Sequence, residues 1–166
     1  LMYTGYAAFD GPFVIRYPRG KGEMKDWRNE MQVLPIGKGK KLRDGDDIAV
    51  LSIGPIGNEV IKAIEMVKEE RVSIAHYDMI YLKPLDEELL HEIGQKYNRI
   101  ITVENGVIKG GFGSAVLEFM ADNGYTPHVK RIGVPDAFIE HGSIPELYQL
   151  CGMDAESIAK QLKKEN

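Results

Sequence analysis

The strongest constraint on how this chain folds is a repeated alternation, from about residue 48 onward, of short apolar runs with longer stretches of helical periodicity. Ile48-Ala49-Val50-Leu51-Ser52-Ile53 is almost wholly apolar and is closed by the turn Gly54-Pro55-Ile56-Gly57. A run of that length, rich in β-branched residues, suits a strand buried on both faces. Behind it Val60, Ala63, Ile64 and Val67 recur at i, i+3, i+4 and i+7, which lays one stripe of a helix against a sheet. The plan repeats with Val72 to Met79 as strand, Lys83-Pro84-Leu85-Asp86 as turn and helix cap, and Leu89, Leu90, Ile93 and Tyr97 on one helical face. A third unit has Arg99 to Val103 as strand, a turn with Gly110, Gly111 and Gly113, and a helix carrying Val116, Phe119 and Met120. His128 to Ile132 reads as the last strand, ahead of two short helices. Ser143-Ile144-Pro145-Glu146 has the form of a capping box, and Asp154 caps a final helix that turns Ile158 and Leu162 inward.

Strands that alternate with helices imply strand–helix–strand units, hence a mainly parallel sheet covered on both faces. The expected fold class is α/β: three αβα layers around a roughly five-stranded sheet, with one antiparallel edge strand. That edge is Gly39-Lys40-Lys41-Leu42-Arg43, before the Asp44-Gly45-Asp46 turn, and its lysines suit a strand with one side in water.

The first residues follow a different plan. Phe13-Val14-Ile15-Arg16-Tyr17, between Asp10-Gly11-Pro12 and Pro18, reads as a short strand, and from Gly20 to about Gln32 the chain is polar and unpatterned, as a linker would be. The expected division is residues 1–20 as the end of one domain, 21–33 as linker and 34–166 as the α/β domain. Leu1 in place of Met, and a helix entered partway at Leu1-Met2-Tyr3-Thr4-Gly5-Tyr6, raise the expectation that this is a piece of a longer protein.

Composition narrows the class. A net charge of −4, with 21 Lys and Arg scattered along 166 residues, gives no basic footprint for nucleic acid. No apolar run approaches the length of a membrane span, and the single Cys151 cannot form an internal disulfide, so a reducing cytoplasm is the expected location. The four histidines, His76, His91, His128 and His141, lack metal-ligand spacing, and no metal site is expected.

Few residues suggest chemistry by themselves. Arg16 and Arg19 flank Pro18 at a strand end, where a guanidinium could grip a phosphate, with ordinary surface ion pairing as the competing account. Residues three apart in an extended segment face opposite sides, so at most one of the two points at a given ligand. Gly110-Gly111-Phe112-Gly113-Ser114 before a helix could offer amides to an anion, but it lacks the Walker and dinucleotide patterns, and close helix–sheet packing is preferred for it. Gly54-Pro55-Ile56-Gly57 is read the same way. His141 and Ser143 invite a Ser–His reading that the capping role of Ser143 displaces. Glu104, at the end of a strand, is the one carboxylate placed where parallel sheets bind ligands, and a supporting or interface role is preferred to acid–base work.

Taken in order, Tyr3-Thr4-Gly5-Tyr6, Asp10-Gly11-Pro12, Arg16-Tyr17-Pro18-Arg19-Gly20, Leu34-Pro35-Ile36-Gly37-Lys38-Gly39, Leu82-Lys83-Pro84-Leu85-Asp86, Thr102-Val103-Glu104-Asn105, Gly110-Gly111-Phe112-Gly113-Ser114, Val134-Pro135-Asp136 and Phe138-Ile139-Glu140-His141-Gly142-Ser143 closely resemble the tail of the 1-deoxy-D-xylulose-5-phosphate synthase family. The resemblance implies a transketolase-like C-terminal domain behind the end of a pyrimidine-binding domain. It implies a homodimeric parent that joins pyruvate, after decarboxylation on thiamine diphosphate with Mg2+, to glyceraldehyde 3-phosphate, for isoprenoid and cofactor synthesis. By position, Arg19 matches the arginine that grips the substrate phosphate; Arg16 is left a structural role.

Two positions depart from the family wording: Asn105 where a second glutamate is usual, and Ile80 where an arginine is usual. The Gly-Asp-Gly stretch that holds magnesium and the glutamate that protonates the aminopyrimidine belong to earlier domains, and Asp44-Gly45-Asp46 is a turn rather than that motif. No catalytic, cofactor or metal residue is therefore expected in this chain, which by itself should be inactive. The rivals are the equivalent domain of a transketolase or of a 2-oxoacid dehydrogenase β chain, and a non-catalytic anion-binding or dimerisation module.

Overall fold

In the computed structural model the described residues are 1–18, 22 and 28–163, and the chain divides into two compact units, Leu1–Ile36 and Gly37–Asn166.

The first unit holds one helix, α1 (Met2–Ala8), whose buried Thr4 accepts the Leu34 amide on its hydroxyl at 2.9 Å. Phe9 and Phe13 meet edge to face with ring centres 5.5 Å apart. The strand expected over Phe13 to Tyr17 does not form: these residues are irregular. Their β-branched and aromatic character favours extended backbone, but a strand also needs a neighbour to take its N–H and C=O groups, and among the described residues no ladder reaches this segment.

The second unit runs β1 (Lys40–Arg43), β2 (Ile48–Ile53), α2 (Gly57–Met66), β3 (Ile74–Asp78), α3 (Glu87–Lys96), β4 (Arg99–Val107), α4 (Phe112–Asp122), β5 (His128–Val134), α5 (Ile144–Leu150) and α6 (Ala155–Leu162). Its five-stranded sheet has the order β1-β3-β2-β4-β5, parallel throughout except for the antiparallel β1 edge. Period-two alternation sorts each strand between two cores. Ile48, Val50, Ile74, Ile101 and Val103 face α2 and α6, meeting Val60, Ala63, Ile64, Ile158, Ala159 and Leu162. Ala49, Leu51, Ala75, Tyr77 and Ile100 face α3 and α4, meeting Leu90, Ile93, Phe112, Val116 and Met120. This is the three-layer αβα arrangement with one antiparallel edge that the sequence pattern implies.

Strand limits differ at the ends. β3 begins at Ile74 rather than Val72, while β4 continues past Val103 to Val107 and β5 past Ile132 to Val134. The extra pairing crosses a shift in register between Val103 and Val107, where Val107 pairs with Val134. Glu104-Asn105-Gly106 has no strand pattern of its own; the neighbouring strand extends it.

Candidate functional site

The chain leaves β2 through α2 to β3 on one side, then returns through α3 to β4 on the other side of β2. The strand order therefore reverses between β2 and β4, and in open α/β sheets the crevice beyond the carboxyl ends at that point is where ligands bind. Two turns border it: Gly54 to Gly57 after β2, and Val107 to Gly111 after β4.

Several amides at each turn are used internally. After β2, the Gly57, Asn58 and Glu59 amides donate to the carbonyls of Gly54, Pro55 and Ile56 at 3.1, 3.0 and 3.0 Å. After β4, the carboxylate of Glu104 accepts the Phe112 amide at 2.9 Å and the Gly113 amide at 2.8 Å, one on each oxygen. Glu104 thus takes the place at the positive end of α4 that an external anion would need. It is buried, and it holds the α4 end against β4. The Ser114 hydroxyl accepts from the Gly110 amide at 3.0 Å and is bonded to Arg131, whose guanidinium also donates to the Ile108 carbonyl at 2.7 Å.

The glycines follow from that closeness. A Cβ on Gly111 would collide with the Glu104 carboxylate and the Val107 carbonyl, and one on Gly113 would come within 2.5 Å of Thr102 Oγ1. They admit a helix end to within contact of its strand rather than cradle a phosphate.

Ser52 and His76, which no sequence pattern pairs, are also polar and buried in the core. Their Oγ and Nε2 atoms lie 2.8 Å apart, and both residues are 1% exposed. The parallel register sets Val50 beside His76 and Ser52 beside Asp78, so parity puts Ser52 and His76 diagonally on one face. Burial holds His76 down at about 4, hence neutral. With no access for a substrate, this pair joins two strands and has no nucleophilic use. The serine and histidine considered from sequence separate differently: Ser143 donates through both its amide (2.9 Å) and its hydroxyl (2.6 Å) to Glu146. That bonding holds the Glu146 carboxyl below its usual range.

At the end of β3, Asp78 accepts the Ile80 amide at 3.2 Å, and Ile80 takes a φ of +55°, a left-handed conformation that a β-branched side chain rarely adopts. Desolvation pushes Asp78 up. The Asp44-Gly45-Asp46 turn is tied to the end of α3: Lys96 pairs with Asp46 at 2.7 Å and the Tyr97 hydroxyl donates to the Gly45 carbonyl at 2.7 Å.

Of the two arginines singled out in the first unit, Arg16 is exposed and Arg19 lies outside the described residues. No cluster of three or more His, Cys, Asp or Glu suited to a metal occurs among the described residues, and no described helix is long and apolar enough to cross a membrane. At the crevice the amino end of α4 is occupied by the Glu104 carboxylate. These residues do not fit a magnesium-bound pyrophosphate.

A five-stranded sheet with one antiparallel edge, its order reversing between β2 and β4, and helices on both faces define an α/β domain of the three-layer class. Residues 37–158 match the model of the transketolase C-terminal domain, and the chain belongs to that family. Within it, the chain is 60% identical over 166 residues to the 1-deoxy-D-xylulose-5-phosphate synthase of Bacteroides thetaiotaomicron, covering 99% of the chain and 26% of that protein. The enzyme of the same name from Porphyromonas gingivalis is 60% identical over 158 residues, covering 95% of the chain and 25% of that protein. The chain thus spans about a quarter of the length of the curated relatives it matches. Among solved structures, one described as a split-gene transketolase, inactive beta4 tetramer, superposes with a TM-score of 0.70 at 30% identity, over 80% of this chain and 45% of the other. Transketolase from Campylobacter jejuni shares the fold at a TM-score of 0.56 and 12% identity, over 75% of this chain and 18% of the other.

Proposed function

We propose that this chain is the C-terminal part of a 1-deoxy-D-xylulose-5-phosphate synthase, and that it serves the assembly of a homodimer and of the active-site mouth while the catalytic centre lies in other domains. The observation that carries this reading is 60% identity sustained over 99% of the chain. The parent would be a cytoplasmic, thiamine-diphosphate- and Mg2+-dependent transferase that condenses pyruvate with glyceraldehyde 3-phosphate. Residues 1–20 would end its pyrimidine-binding domain, 21–33 would be linker and 34–166 the C-terminal domain. The exposed Met2, Tyr6, Val14, Tyr17 and Met31 support an arm that packs on another domain, since apolar surface of that kind marks an interface.

In this reading Arg19 supplies a fixed cation for the phosphate of glyceraldehyde 3-phosphate. Its contribution is to position the acceptor aldehyde, not to move a proton. The intact protein, given pyruvate and glyceraldehyde 3-phosphate, should form deoxyxylulose phosphate; its absence would reject the assignment in favour of a transketolase or a 2-oxoacid dehydrogenase. Arg19→Ala should weaken use of the phosphorylated acceptor by roughly 2–4 kcal/mol, read from kcat/KM, with a smaller effect on pyruvate decarboxylation. Equal losses in both half-reactions would remove the role assigned to Arg19. The 166-residue chain alone should give no calorimetric signal with thiamine diphosphate and Mg2+.

A further inference from the structure

Beyond the carboxyl ends of β4 and β5, the second unit contains a cavity of about 250 Å³. Its walls come from Asn105, Val134 and Ile139, from Ile144, Leu147 and Tyr148 of α5, and from Cys151 and Met153. Met153 is buried, and Val134, Tyr148 and Cys151 pack against the α2–α6 core, so the floor is fixed. The roof is α5, a helix with no fully buried residue, tied down by the Glu146 capping interaction and by the Met153 amide donating to the Tyr148 carbonyl at 2.8 Å.

The chemistry of the lining is selective. It includes no Asp, Glu, Lys or Arg, so a phosphate or carboxylate placed there would lose its hydration with no charge to compensate, at a cost no small ligand recovers. The polar groups are few. The Asn105 carboxamide nitrogen donates to the Tyr148 hydroxyl at 3.2 Å, and among the described residues no donor reaches the Asn105 carboxamide oxygen. Small-molecule sites have this composition: mostly apolar walls with a few placed hydrogen-bonding groups that fix orientation. Scaling from apolar cavities of about 150 Å³ that take benzene, this volume suits a bicyclic molecule of roughly ten heavy atoms.

We propose that this cavity is a binding site for a small, uncharged, largely apolar molecule of bicyclic size that carries one N–H or O–H donor, received by the carboxamide oxygen of Asn105. Such a ligand differs in class from both anionic substrates of the proposed reaction, and the site stands whether or not that assignment does. Occupancy would tighten α5 against the sheet.

Indole is the probe, because it has the size and a single N–H donor. Cys151 supplies the readout: in the intact protein its alkylation by iodoacetamide, followed by peptide mass spectrometry, should slow about fivefold at an indole concentration about four times the dissociation constant. Amide exchange in residues 144–153 should slow in the same titration. In Leu147→Trp, which fills the cavity from within, indole should change neither rate. Asn105→Ala should weaken indole several-fold and leave naphthalene, which has no donor, unaffected. The proposal is overturned if indole leaves both readouts unchanged in the wild-type protein, if Leu147→Trp responds as wild type does, or if glyceraldehyde 3-phosphate gives the same protection.

Discussion

At the scale of single residues, two buried polar groups carry measurable consequences. His76 titrates near 4 in the folded chain against an ordinary 6.5, so the unfolded state binds its proton first as pH falls. Its contribution to stability is complete above about pH 6.5 and declines below it, by roughly 2–3 kcal/mol by pH 4.5, before levelling off under pH 4. Denaturant unfolding at a series of pH values should show that slope, and His76→Gln should flatten the part of it between pH 6.5 and 4.5. An unchanged profile would mean that the buried histidine is not the group being titrated. Glu104→Ala should cost about 2–4 kcal/mol, because it strands the Phe112 and Gly113 amides inside the protein. Glu104→Gln should not restore wild-type stability, since its NH2 group would face an amide that needs an acceptor. Glu104 was conspicuous in the sequence by its place at a strand end; that its partners are its own helix's amides was not.

Among the elements, α3 shows how a local signal is extended by distant residues. Asp86 caps the helix by accepting the Leu89 amide at 3.2 Å, as Lys83-Pro84-Leu85-Asp86 predicts, and it also accepts the Gly39 amide at 2.9 Å and pairs with Lys38. Lys38 reaches Glu88 as well. Asp86→Ala should therefore cost more than the roughly 1 kcal/mol of an isolated cap, about 2 kcal/mol by equilibrium denaturation. Asp86→Asn, which can still accept at the cap, should recover part of that. The failure over Phe13 to Tyr17 belongs to the same scale. Propensity describes what a segment tolerates, and pairing decides what it becomes.

For the molecule as a whole, stability should fall from the centre of the sheet outward. β2 lies between β3 and β4 with Ala49, Val50 and Leu51 fully buried, whereas β1 is exposed along its length and α5 has no fully buried residue. Native-state hydrogen exchange should find the slowest amides in β2 and β4 and faster opening at β1 and α5. Uniform protection across all five strands would contradict this.

Residues alone determined the α/β class, the parallel sheet with its lysine-rich edge, the three helices α2, α3 and α4 and the caps at Asp86 and Asp154, because periodicity and capping are local and each is repeated. The pair Arg16 and Arg19 around Pro18 stood out from the residues as a possible anion grip, and a resemblance in ordered motifs supplied the family and the choice of Arg19 over Arg16. Three things were left to the tertiary structure: the Ser52–His76 bond, the use of Glu104 as the cap of α4, and the cavity between α5 and the sheet. The reason is physical. Each depends on strand register and on which helix lands over which strand end, quantities set by the packing of residues far apart in the chain and invisible to any single window of it.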